Sequence, residues 1–380
     1  MSQTLHGFSG VVRHLLATFL AVSLVACSSG PQKPKPAELS PGVDLLGVRQ
    51  AWVTKIAEVS LPLDVRVVDQ RVAVAASNGT VAVLDASTGA DIWRFSLGSP
   101  LSAGIGYDGQ RAAVVTLGNE VVVLEAGRET WRQRLNAVSL TAPLVAGGRV
   151  FVLGADRTVS AFDGQSGRRL WQQQRSGEAL VLRQAGVLMA VGDTLVVGLS
   201  GKLVGLNPLN GSVRWEAAIA SPRGVNDIER LVDLVAGVSR EGTVICARAF
   251  QAAVGCADAA RGTVLWTKPA TGATGVRGDR DFIFGAEADG TVVAWRRADG
   301  ERAWTQELLR YRNLGTPLAA GRSVVVGDGT GLLHFLSRED GSPMARVSTD
   351  GTAIVAAPVL AGNTLVVVTR GGGVFGFRPE

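Results

Sequence analysis

The stretch Asp85-Ala86-Ser87-Thr88-Gly89-Ala90-Asp91-Ile92-Trp93 decides the fold, because its spacing returns along the chain. A small polar residue is followed four positions on by Gly, and four beyond that by Trp. The pattern recurs as Asp163, Gly167, Trp171; as Asn207, Gly211, Trp215; and as Asp258, Gly262, Trp266. Arg296, Gly300, Trp304 keeps the spacing with an altered first residue, and Glu125, Gly127, Trp131 is a shortened form. Ser337, Gly341, Ala345 keeps the turn and loses the Trp. With Trp52 the ladder has eight phases, and only Trp295 of the 8 tryptophans lies off it. From Trp52 to Trp304 six intervals average 42 residues, the length of one four-stranded propeller blade. The expected fold is therefore all-β: an eight-bladed β-propeller of four-stranded antiparallel blades spanning residues 48–380.

Working outward, each unit also reads as strands. Val65 to Val68 and Val72 to Ala75 are apolar runs, followed by Asn78-Gly79 and then Thr80 to Leu84. Asn-Gly between such runs is a strong hairpin signal, since both residues tolerate positive φ. Equivalent turns are expected at Asp108-Gly109, Gly147-Gly148 and Asp289-Gly290, and Pro62, Pro100, Pro143, Pro317 and Pro358 suit strand beginnings. Separate hairpin domains are the competing reading, but isolated hairpins are marginal in water. An outer-strand Trp can cover the neighbouring blade's Gly turn while its indole N–H reaches a carbonyl, so the ladder is read as core. The last unit ends at Glu380 without a Gly-to-Trp strand, and Ala51-Trp52 has no blade upstream. Pairing the N- and C-terminal segments completes the eighth blade and removes exposed edges.

Arg13 precedes an apolar run from Leu15 to Ala26, too short for a bilayer-spanning helix, which needs about 20 residues. Residues 1–26 are read as a signal peptide. The run ends in Leu24-Val25-Ala26-Cys27, which resembles a bacterial lipobox and implies lipidation of Cys27; an ordinary secretory signal with an incidental Cys27 is the other reading. By the same resemblance Ser28 favours the outer membrane over the inner one. Residues 27–47 are expected to be a tether, Pro-rich from Ser28 to Pro41 and unable to build a packed core. Without residues 1–26 the chain keeps 37 basic and 33 acidic residues, dispersed and with no run of the kind that marks a nucleic-acid partner.

Chemistry is sparse in the body. Cys246 and Cys256 sit in consecutive strand-like runs, where a disulfide and two buried thiols are both open. His334 is the one histidine after residue 26, inside the strand-like Gly331-Leu332-Leu333-His334-Phe335. A multi-histidine metal site cannot be built from it, and no nucleophile motif accompanies it. Gly371-Gly372-Gly373 and Gly327-Asp328-Gly329 lie between strand runs without a following helix, so they are read as turns, not phosphate cradles. Asp85, Asp163 and Asp258 share one repeat position and are read as turn caps. No catalytic residue, cofactor or metal is expected.

The repeat is broken between Trp215 and Trp266, 51 residues apart, with the excess in the charged segment Ser221 to Asp233. The preceding unit carries Leu180-Val181-Leu182-Arg183 where neighbours have Ala-Pro or Ser-Pro. Two adjacent irregular units suggest one contact surface with apolar anchors and an Arg; a loop that merely drifted in length is the plain alternative. The lipobox, the Gly-to-Trp units and Asp227-Ile228-Glu229-Arg230-Leu231 with Asp233 resemble the BamB family, lipoproteins of the outer-membrane β-barrel assembly machinery. Val325-Val326-Gly327-Asp328 and Gly331-Leu332-Leu333-His334 are similar to that family too. The resemblance implies a non-enzymatic scaffold, lipid-anchored and facing the periplasm, that binds the POTRA domains of BamA. It also brings the assembly complex as partner and unfolded outer-membrane proteins as possible clients. It maps the contact to Leu180, Leu182 and Arg183 in one loop and Asp233 in another; Val235 stands where the family pattern has a second acid. The rival readings are a quinoprotein-type dehydrogenase, which shares the repeat but is typically longer and carries an adjacent Cys-Cys pair, and an anchored adaptor for another envelope complex.

Overall fold

The computed structural model describes residues 34–41, 44–175, 181–223, 225–227 and 230–380. One compact unit runs from Ala37 to Glu380, and every regular element in it is a strand. Eight four-stranded antiparallel sheets are formed, seven from consecutive strands. Blade 1 comprises Arg66–Val68, Arg71–Ala75, Thr80–Asp85 and Asp91–Ser96. Blades 2 to 7 cover residues 106–134, 144–174, 188–218, 234–269, 276–306 and 318–348 in the same order. Blade 8 is composite: Val359–Ala361, Thr364–Val368 and Gly373–Pro379 are joined by Val48–Lys55 as the fourth strand. Val48 pairs with Pro379 and Lys55 with Gly373, so the two chain segments close the ring as expected.

First strands of adjacent blades meet around the axis, while fourth strands face outward and alternate exposed with half-buried, as in Asp91–Ser96. The middle strands are buried on both faces, as Val81 to Leu84 and Val121 to Leu124 illustrate. That explains their unbroken runs of Val, Leu and Ala.

Each third strand pairs with its fourth through one register irregularity, and the ladder residue sits at the same place in every blade. Val83 faces Trp93, Val123 faces Trp131, Ala161 faces Trp171 and Gly205 faces Trp215. Cys256 faces Trp266, Ala294 faces Trp304, Phe335 faces Ala345 and Gly376 faces Trp52. Each indole then lies beneath the Gly turn of the next blade. A Cβ on Gly89 would fall 2.4 Å from the Trp52 ring, and one on Gly300 would fall 2.4 Å from that of Trp266. These glycines also hold φ near +70°, a region where a side chain is strained. The indole N–H donates to the next blade's carbonyl at Ala86 from Trp52 (3.0 Å), at Gly164 from Trp131 (3.0 Å) and at Arg297 from Trp266 (2.7 Å).

Two readings need refinement. The four glycine turns expected to be equivalent are of two kinds: Asn78-Gly79 and Asp289-Gly290 join second to third strands, whereas Asp108-Gly109 and Gly147-Gly148 join first to second. Antiparallel order puts the two kinds at opposite ends of a blade; a short turn with positive φ serves either end, so local residues do not distinguish them. The open question of the cysteines is answered by register. Cys246 and Cys256 face each other on adjacent strands of blade 5 and form a disulfide.

Candidate functional site

The irregular segments converge at the end of the ring that carries the second-to-third strand turns, across blades 3, 4 and 5. Residues 181–187 lead into the first strand of blade 4, Leu188–Val191, and Asp233 immediately precedes the first strand of blade 5, Leu234–Glu241. Asp233 accepts a hydrogen bond from the backbone N–H of Leu182 at 3.0 Å through Oδ2. Its other oxygen lies 3.9 Å from the Arg157 guanidinium, in the tight turn of blade 3, where Arg157 adopts φ +63°. Arg157 also bonds to the Ser200 hydroxyl in the matching turn of blade 4.

The loop is tied down further along. Ala236 donates its N–H to the Ala185 carbonyl at 2.8 Å, Gly186 forms a bridge with Val235, and the Gly186 N–H reaches Thr141 Oγ1 at 2.9 Å. Three hydrogen bonds over five residues, at Leu182, Ala185 and Gly186, make this a preorganised loop, so little ordering cost remains at the moment of binding. Beneath it lies a narrow cavity of about 50 Å³, lined by Thr141, Leu153, Arg157, Leu182, Asp233 and Val235 among others. Val181 and Arg183 are exposed and Leu182 is half-buried, so an apolar pair precedes a cation on a rigid backbone.

Of the residues expected at a contact, Leu182, Arg183 and Asp233 are brought together. Leu180 and Cys27 lie outside the described residues. Asp233 is engaged internally, with both oxygens directed to the loop and to Arg157, and only 17 % of its side chain is exposed. Val235 is buried at 2 % and faces Arg248 across the sheet. The completely buried Arg248 finds its acid elsewhere, at Glu287 of blade 6 (3.0 Å), donates to the Ala286 carbonyl (3.1 Å), and stacks over Trp295 at 5.6 Å. Burial lowers its pKa from the usual arginine value and Glu287 pulls it back up. Sequence reasoning missed Arg157 and Arg248. The signal for Arg248 was a lone charge inside the buried run Val244–Ala249; Arg157 carried none, since turn arginines are ordinarily solvated.

Arg183 also lines a second, larger space. A cavity of about 750 Å³ opens on the ring axis, lined by residues in or leading into all eight blades. Among the described residues, no three His, Cys, Asp or Glu side chains converge as a metal would require.

Fold and site together define an eight-bladed propeller of Gly-to-Trp repeats with one pinned loop at its rim. A family described as outer membrane protein assembly factor BamB matches residues 77–306. The outer membrane protein assembly factor BamB of Burkholderia pseudomallei is 39% identical over 360 residues, covering 93% of this chain and 94% of that protein. The crystal structure of BamB from Moraxella catarrhalis superposes with a TM-score of 0.79 at 23% identity, over 87% of this chain and 99% of the other. A quinohemoprotein alcohol dehydrogenase from Pseudomonas putida shares the ring at a TM-score of 0.68 and 14% identity, over 88% and 76% of the two chains, a likeness of fold alone. The chain belongs to the BamB family.

Proposed function

We propose that this chain is a non-enzymatic scaffold of the outer-membrane β-barrel assembly machinery. It is anchored to the outer membrane through lipid on Cys27, faces the periplasm, and holds the POTRA domains of BamA on the rim formed by blades 3 to 5. Family membership supports the assembly role. The observation that carries the contact is the 3.0 Å bond from the Leu182 N–H to Asp233. It pins an exposed apolar-and-arginine loop against its neighbour, as an interface that must not reorganise on binding requires.

On this reading Leu182 and its neighbours fill an apolar patch on the partner, and Arg183 pairs with an acid there. Asp233 acts from behind, positioning the loop rather than meeting the partner with a free carboxylate. Truncating such anchors costs about 2 kcal/mol or more. The double variant Leu182→Ala, Arg183→Ala is expected to lose capture of BamA from outer-membrane extracts while melting at the parental temperature. Normal capture by that variant, with the ring intact, refutes the assignment.

A further inference from the structure

The axial cavity holds an arginine that the ring does not use. Arg277 lies in the first strand of blade 6, Val276–Gly278, and lines the cavity together with Arg183 and Arg370. Arg183 and Arg370 are exposed, whereas Arg277 is half-buried. Burial lowers its pKa from the usual arginine value, Asp64 raises it, and Arg66 lowers it further. Yet the Arg277 side chain makes no hydrogen bond or ion pair among the described residues. The one acid among the described residues of the wall, Asp64, is taken by Arg66 at 2.8 Å. Among the described residues, other buried arginines each have a partner: Arg248 has Glu287, Arg312 has Asp328, and Arg297 has the Asp279 carbonyl and Ser239. A half-buried guanidinium without an internal partner leaves its charge available to an anion from outside.

The cavity wall is otherwise amphipathic. Leu61, Leu117 and Val355 line it alongside the arginines, and Leu117 is 55% exposed. The three cations come from segments in or leading into blades 4, 6 and 8, spread round the axis rather than side by side. They suit a chain that carries several acids among apolar side chains.

We propose that the axial cavity binds an acidic, partly apolar peptide segment, with one carboxylate received by Arg277 and others by Arg183 and Arg370. A carboxylate on Arg277 forms a charge-assisted pair in a half-buried site. The site shares Arg183 with the pinned loop, but Leu182 belongs only to the loop and Arg277 only to the cavity.

The test is fluorescence anisotropy with the purified full chain and a short labelled peptide of alternating Glu and Leu, beside counterparts carrying Gln or Lys in place of Glu. The Glu peptide is expected to bind, the Gln peptide more weakly and the Lys peptide not at all. Arg277→Gln is expected to weaken the Glu peptide about tenfold or more with an unchanged melting temperature, since no internal pair is lost. Arg370→Gln is expected to weaken it less, and Leu182→Ala to leave it unchanged. Unaltered affinity in Arg277→Gln overturns the proposal, as does equal binding of the Gln peptide. Displacement by inorganic phosphate at peptide-like concentrations also overturns it, since the site then takes small anions only. Retained peptide binding by Leu182→Ala separates this result from any failure of the partner-docking reading.

Discussion

Ala345 stands where seven other blades carry Trp, and its surroundings show why the substitution is tolerated. Across the sheet from the other ladder positions are Val83, Val123, Ala161, Gly205, Cys256, Ala294 and Gly376, all small or medium in size. Opposite Ala345 is Phe335, packed with Phe375 and Phe377 in one cluster. The aromatic volume has moved from the fourth strand to the third. The junction also lacks the usual Gly turn, since blade 8 carries the two chain segments there, with the Glu380 N–H donating to the Gly47 carbonyl at 3.1 Å. Ala345→Trp alone is therefore expected to overpack this junction and destabilise the ring by about 1–3 kcal/mol, read as a lower melting temperature. Adding Phe335→Gly should restore most of the loss; an equal loss in the double variant would show that the two positions do not share volume. Such coupling was illegible in the sequence, where Ala345 is only a missing Trp. Size complementarity depends on register, and register follows from pairing.

At the scale of the element, the segment before the first strand is held by a buried cluster in blade 7. The Ala37 N–H donates to the Arg310 carbonyl (2.9 Å), and Arg312 donates to the Ala37 carbonyl (3.1 Å), to Thr330 Oγ1 (3.0 Å) and to Asp328 (2.8 Å). His334 Nε2 lies 3.0 Å from the same carboxylate. Thus Ala37, in the stretch expected to be a tether, is bonded to the propeller. Burial alone would raise the Asp328 pKa, but hydrogen bonds from His334, the Leu332 and Thr330 N–H groups and Arg312 outweigh it and hold the carboxyl far below its usual range. A depressed carboxylate stabilises the fold fully above the unfolded value of about 3.9, and that contribution is lost as pH falls from there towards the folded value. The protein should keep a level stability down to about pH 4 and lose it steeply below. Asp328→Asn should cost about 3–5 kcal/mol near neutral pH, because Arg312 is left buried without its acid, and should flatten the acid limb of a denaturation profile. An unchanged acid limb would place the acid sensitivity elsewhere. Gly327-Asp328-Gly329 was read as a turn, which it is. The carboxylate's partners were hidden because Arg312 and His334 reach it only once the blade has folded.

For the whole molecule, stability is a property of closure. Seven of the eight junctions repeat one Trp-to-Gly contact, and between blades 8 and 1 Trp52 supplies it, lying under Gly89 and bonded to the Ala86 carbonyl within a shared apolar cluster. Trp52→Ala should cost about 3–5 kcal/mol, and deletion of residues 48–55 should abolish the cooperative thermal transition. A truncated chain that melts like the parent would mean that seven blades suffice. Blade number, strand order, closure and the core role of the tryptophans were all determined by the sequence alone. These features recur about every 42 residues and need only neighbouring segments in register. The irregular units were visible there as well, through a long interval and the residues Leu182, Arg183 and Asp233. What only the tertiary structure decided is how those units meet: that Asp233 braces Leu182 from 51 residues away, that Arg157 backs it from another blade, and that Arg277 faces an axial cavity without a partner. Each depends on the curvature that brings separate blades to one rim or one axis, and curvature belongs to the closed ring rather than to any stretch of chain.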